Sequence, residues 1–79
     1  MNMVSIPRYK WENAKGNISL TYRLIQEYFA PRSKVEFAVW LDGETLTWND
    51  GERAYTIKAK SIGKRYMRAE IDEVYVITP

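Results

Sequence analysis

Between Asn17 and Ala30 the apolar positions fall at helical spacing: Ile18, Tyr22, Ile25 and Phe29 share one stripe, which Leu24 and Tyr28 widen. Asn17 or Ser19 can accept from the first free backbone amides, Gly16 interrupts the preceding pattern, and Pro31 restricts Ala30 to extended backbone. One helix over about residues 18–29 follows. After Pro31 the period drops to two, with Val35, Phe37, Val39 and Leu41 alternating against Glu36, Ala38 and Trp40. Asp42-Gly43 and Asp50-Gly51 then separate further alternating runs, a strong short-range signal for hairpins. The strands expected are about 35–41, 44–49, 53–61, 65–71 and 74–78.

Turn length fixes which residues stand opposite each other, and a one-residue slip exchanges the two faces of a strand. Two-residue turns at Asp42-Gly43 and Asp50-Gly51 set Val39 opposite Leu46, Phe37 opposite Trp48 and Leu46 opposite Tyr55. A three-residue loop, Ile62-Gly63-Lys64, pairs Ala59 with Met67, Ile57 with Ala69 and Tyr55 with Ile71. Turning again at Asp72-Glu73 places Ile71 opposite Val74 and Ala69 opposite Val76. One apolar face then runs through the whole meander, and the helix stripe covers it. The expected fold is α+β: one amphipathic helix on a four- to five-stranded antiparallel meander, bent toward a small SH3-like or OB-like barrel. Residues 1–16, where Val4, Ile6, Tyr9 and Trp11 alternate loosely around Pro7, read as an edge strand or docking arm of a single domain spanning 1–79.

Composition narrows the chemistry. The 79 residues contain neither cysteine nor histidine. Disulfides, thiolate zinc sites, Ser-His-Asp triads and imidazole proton shuttles are therefore excluded. The four glycines occur singly in turns, so no phosphate-cradling loop is present, and no cofactor is expected. Glu70, Asp72 and Glu73 do not make a magnesium site, because alternate strand positions point to opposite faces; no metal-ligating or catalytic residue is assigned. No apolar run approaches the roughly 20 residues that span a bilayer, and the start lacks a signal-peptide core. The expectation is a cytoplasmic, non-catalytic protein with no membrane contact.

The formal net charge of +2 conceals an uneven distribution. Glu36, Asp42, Glu44, Asp50 and Glu52 occupy a stretch from Val35 to Glu52 that has no basic residue. Arg53, Lys58, Lys60, Lys64, Arg65 and Arg68 follow in a stretch from Arg53 to Ala69 that has no acid. In the expected register Lys58 faces Arg68 and Lys60 faces Tyr66 across the outer surface, an arrangement of like charges that asks for a reason. The same register leaves Trp40, Tyr66, Tyr75 and Ile77 on the face away from the helix. The segment 1–16, curling of the sheet into a small barrel, a protein partner or a second copy of the chain is needed to cover them.

Three readings follow. The first is a small binding protein that occupies the surface of a macromolecular partner, a nucleic-acid-handling protein above all. Trp40, Tyr66 and Tyr75 are its anchors, and Asp42, Glu44, Lys58, Lys60, Lys64, Arg65 and Arg68 supply complementary charge. Inhibitors that phages and mobile elements direct against host nucleic-acid machinery, anti-CRISPR proteins included, are examples of that class. The second reading is a nucleic-acid-binding module that uses the basic segment 53–68, with Lys58, Lys60, Lys64, Arg65 and Arg68 on phosphate and Tyr66 stacking a base. The third is a histidine-free ribonuclease-like toxin acting through Tyr66 and Arg68.

Overall fold

The computed structural model describes residues 2–30 and 34–76, the side chains of 74–76 aside. In chain order the elements are β1 (Asn2–Pro7), α1 (Arg8–Ala14), α2 (Ile18–Tyr28), β2 (Phe37–Trp40), β3 (Thr45–Asn49), β4 (Arg53–Ile62) and β5 (Tyr66–Val76). The strands form one antiparallel sheet in the order β1-β5-β4-β3-β2. This is a small α+β fold with both helices on one face of the sheet. Because β1 and β2 lie at opposite edges and do not pair, the sheet is open and the expected barrel closure is absent.

The helix expected over 18–29 is α2. Asn17, in extended backbone, caps it by accepting from the Leu20 amide at 3.0 Å, which satisfies one of the donors a helix start leaves free. Thr21, Leu24 and Ile25 form its buried face. Ile18, placed on the same stripe by the spacing, lies in the first turn beside the rim of β2 and is 58% exposed. The spacing gives no sign of α1. Its seven residues follow directly on Pro7 and bury Trp11 and Ala14. Lys10 of α1 donates to Glu27 of α2 at 2.8 Å, clamping the two helices together.

The fifth strand is β1; residues 74–76, expected to begin a separate strand, continue β5, and the rest of the expected 74–78 strand lies outside the described residues. Asp72 and Glu73 do not turn the chain, since they stand opposite Thr56 and Tyr55 in the middle of an unbroken β5. Val4 and Ile6 instead stand opposite Ala69 and Met67, extending the apolar face at the other edge. Ile77 and Pro79 lie outside the described residues.

The faces of β3, β4 and β5 agree with the alternation, but the register does not. Trp48 stands opposite Tyr55 and stacks on it, with ring centroids 4.5 Å apart, and Leu46 stands opposite Ile57. Ile57 stands opposite Ile71 and Ala59 opposite Ala69. Each pairing is two residues from the expected one, so the same side chains still face inward. The physical cause lies in the turns. Gly51, with φ of +96°, takes the first central position of a turn closed between Asp50 and Arg53, one residue later than expected. At the β4–β5 turn the amide of Gly63 donates to the Tyr66 carbonyl at 2.8 Å, leaving Lys64 and Arg65 at the tip. A Cβ on Gly63 would lie 2.9 Å from that carbonyl oxygen, so the close approach requires glycine.

β2 differs by one residue, and its faces are exchanged. Ala38 stands opposite Trp48 and Trp40 opposite Leu46, so both face the core, while Phe37, Val39 and Leu41 are 53%, 38% and 64% exposed. Gly43 has no positive φ, so Asp42-Gly43 is not the two-residue primed turn that the expected register needs. A wider turn forms instead, closed by the Leu41 amide donating to the Thr45 carbonyl and by Asp42 Oδ1 accepting from the Glu44 amide. What fixes the register is Trp40. Its indole packs edge-on against Trp11 at 4.9 Å, and its Nε1 donates to the hydroxyl of buried Thr21 at 3.0 Å.

Paired substitutions test this register. Ala38→Asp buries a carboxylate and is expected to destabilise the fold by at least about 2 kcal/mol in urea unfolding, whereas Phe37→Asp stays within about 1 kcal/mol of wild type. The reverse order would restore the register that the alternation predicts.

Candidate binding surfaces

The strand order sorts the charged segments to different parts of the sheet. At the tip of the β4–β5 hairpin, Lys64 and Arg65 meet the start of α1, because the Arg8 amide donates to the Arg65 carbonyl at 2.8 Å. The Arg8 guanidinium also donates to the Gly63 carbonyl at 3.3 Å. Pro7 stands opposite Tyr66, and together with Tyr9, Lys64 and Arg65 they line a shallow concavity open to solvent. Tyr9 and Tyr66 are 63% and 58% exposed. Arg68 follows on the same strand, opposite Ser5 and Ser61. Among the described residues Arg8, Lys64, Arg65 and Arg68 make no ion pair.

Lys58 and Lys60 do not join this group. Lys58 stands opposite Glu70 and Thr45 and lies near Asp42, which removes the expected opposition to Arg68. Lys60 is the extra residue of a bulge between Ala59 and Ser61, and its Nζ is 3.8 Å from Glu70 Oε1. The basic segment of the sequence therefore divides: Arg53 and Lys60 pair with Glu73 and Glu70, Lys58 lies among Glu70 and Asp42 without an ion pair, and Lys64, Arg65 and Arg68 make none among the described residues. Arg8 and Tyr9 belong to the tip although they are far away in sequence. Only the β1–β5 pairing brings them there, and no local signal announces it.

The other edge is acidic and apolar. Phe37 and Val39 of β2 and Leu41 just after it are exposed, and among the described residues no strand pairs with the outer edge of β2. Glu36, Asp42 and Glu44 flank them, and all three are exposed. Glu36 is paired with Lys34 at 2.8 Å. The alternation placed the three apolar side chains in the core, and so passed over them as contacts.

Of the expected anchors, only Tyr66 is confirmed as exposed. Trp40 is half-buried on the core face, held by Thr21 and Trp11, and is not an outer anchor. The backbone of Tyr75 stands opposite Ala54, and its side chain lies outside the described residues. Residues 2–14 do not cover the outer face, since β1 joins the sheet edge and α1 packs on the helix side. Among the described residues no group of three acidic side chains forms a metal-ion site, and no helix is long and apolar enough to cross a membrane. No protein-family model matches the chain, and neither a curated protein nor a solved structure matches it.

The acidic turns hold their carboxylates ionised. Two amides, first Arg53 and then Glu52, donate to Asp50 Oδ1 at 2.8 and 2.9 Å and lower its pKa. The Glu44 amide does the same to Asp42, and the Lys10 ammonium lowers Glu27. A carboxylate whose pKa is lower folded than unfolded stabilises the fold above its unfolded value, and that contribution disappears as pH falls through the folded value. Thermal stability is therefore expected to be flat from neutrality down to about pH 5 and to fall below about pH 4. Asp50→Asn keeps an oxygen acceptor for both amides but cannot titrate, and it should flatten the acid limb in a melting series. An unchanged limb would show that Asp50 is not among the groups responsible.

Proposed function

We propose that the protein is a small non-catalytic binding protein of the cytoplasm that acts by occupying the surface of a protein partner, with the β2 edge as its contact. The observation that carries this reading is the exchanged face of β2. It exposes Phe37 and Val39, with Leu41 just beyond, on a strand whose outer backbone edge is unpaired among the described residues. An open strand edge receives an extended segment by main-chain hydrogen bonds, and alternate side chains supply specificity. Lysine, proline or a covering loop ordinarily protects such edges, and the described part of β2 carries apolar side chains instead.

Charge chooses among partners. With Glu36, Asp42 and Glu44 around the strip, a basic segment is favoured, as nucleic-acid-handling proteins present in their grooves. An inhibitor of host nucleic-acid machinery, of the kind phages and mobile elements encode and to which anti-CRISPR proteins belong, fits that description. The support is the combination of small size, an acidic rim and a residue inventory without the usual catalytic side chains.

Affinity capture with the wild type and with the Phe37→Asp/Val39→Asp variant tests the reading, with light scattering on both. The wild type is expected to retain one partner in stoichiometric amount. The variant should lose it while melting within a few degrees of wild type. Equal retention by the two proteins would exclude the β2 edge. A wild-type dimer that becomes monomeric in the variant would identify a second copy of the chain as the occupant and overturn the heterotypic reading.

A further inference from the structure

We infer that the β4–β5 hairpin tip and the start of α1 form a binding site for single-stranded nucleic acid, separate from the β2 edge and independent of its partner. Lys64 and Arg65 line the concavity there, Arg8 adjoins it through its bonds to Gly63 and Arg65, and Arg68 lies two residues beyond Tyr66 on β5; none of the four has an ion pair among the described residues. Cations left unpaired around a concavity attract phosphate, and release of the counterions condensed on the strand drives association. Tyr9 and Tyr66 line the same concavity and are more than half exposed. Exposed aromatic rings between cations are what an unpaired base needs, because every base has a face to stack. A duplex hides those faces and offers only its phosphates and groove edges.

The tip is held rigidly. The Gly63–Tyr66 and Arg8–Arg65 backbone bonds fix the turn against α1, and Pro7 backs Tyr66 from the neighbouring strand. The acidic turn does not cancel the field at the tip. Glu44 accepts from the Ala59 amide, so of the four cations Arg68, opposite Ser61, is the nearest to the turn, whereas Gly63 at the start of the tip is four residues on, about 13 Å along the strand. That exceeds the screening length of about 8 Å at physiological salt. Lys60, already beside Glu70, contributes little to the site.

Fluorescence anisotropy with labelled oligo-dT and oligo-U of about 12 nucleotides tests the site. With four phosphates neutralised, affinity is expected to fall about 50-fold between about 50 and about 200 mM salt. Lys64→Glu/Arg65→Glu should abolish binding, and Lys60→Gln should change it less than about twofold. Tyr66→Ala and Tyr9→Ala should each weaken binding about tenfold with the salt slope unchanged, and Tyr66→Phe should retain it, because stacking needs the ring and not the hydroxyl. These side chains are exposed, and thermal melts of each variant confirm that the fold is intact. No binding at the lower salt would overturn the inference. So would a duplex of equal length bound as tightly as the single strand, or tyrosine-to-alanine variants that bind like wild type, since either shows a phosphate patch without base recognition.

Discussion

The indole of Trp40 joins the sheet layer to the helix layer, and the disposition of the rest of the surface depends on it. Its ring meets Trp11 of α1 edge-on, an arrangement aromatic pairs favour, and its N–H reaches the hydroxyl of Thr21 in α2. That hydroxyl in turn donates to the Ala14 carbonyl at 2.6 Å, at the end of α1. A polar group buried without a partner is costly, so the two bonds make Thr21 and Trp40 mutually dependent. Three elements separate in sequence thus converge on one contact. Since side chains alternate along a strand, placing Trp40 inward commits Ala38 inward and Phe37 and Val39 outward.

That commitment explains why the apolar alternation was misleading at this strand and informative at the others. Along 35–41 the odd positions are the more uniformly hydrophobic, and period-two logic buries them. Burial of a tryptophan with a satisfied N–H outweighs burial of Val39 and Phe37 at an exposed edge, but that comparison needs Thr21 and Trp11, which no local pattern relates to Trp40. In β3, β4 and β5 no such distant contact competes, so Leu46, Trp48, Ile57, Met67 and Ala69 are buried as their alternation implies. α2 was legible from its spacing and from Asn17. α1 was not, because seven residues are too few to display a helical period around one tryptophan.

Turn geometry accounts for the remaining differences. Aspartate before glycine marks a turn but leaves its length open, since the aspartate carboxylate can bond to amides two or three residues ahead, as Asp42 and Asp50 both do. A register moved by two residues keeps every face and changes every neighbour. For the core this hardly matters. For the charged surface it is decisive, because it sets Lys58 opposite Glu70 and Arg68 between two serines. The basic segment was visible in the sequence as a count of charges. Which of those charges remain unpaired is a property of the register, and Arg8 and Tyr9 enter only through the pairing of β1 with β5.

The strand order gives the two candidate surfaces their relation. β2 lies at one edge of the sheet and β1 at the other, and the β4–β5 tip, two strands from β2, projects past the turn at 42–44, so the apolar, acidic strip and the cationic, aromatic tip are separate surfaces. Neither surface shares a residue with the other, and neither contains the Trp40 contact on which the fold depends. A basic protein segment added to β2 and a strand lying across the tip would therefore not compete for space. Their coupling would pass mainly through the field of the protein, and at physiological salt that field decays over about 8 Å. If both proposed sites are filled at once, the protein would stand between a basic partner and the nucleic acid that such a partner handles.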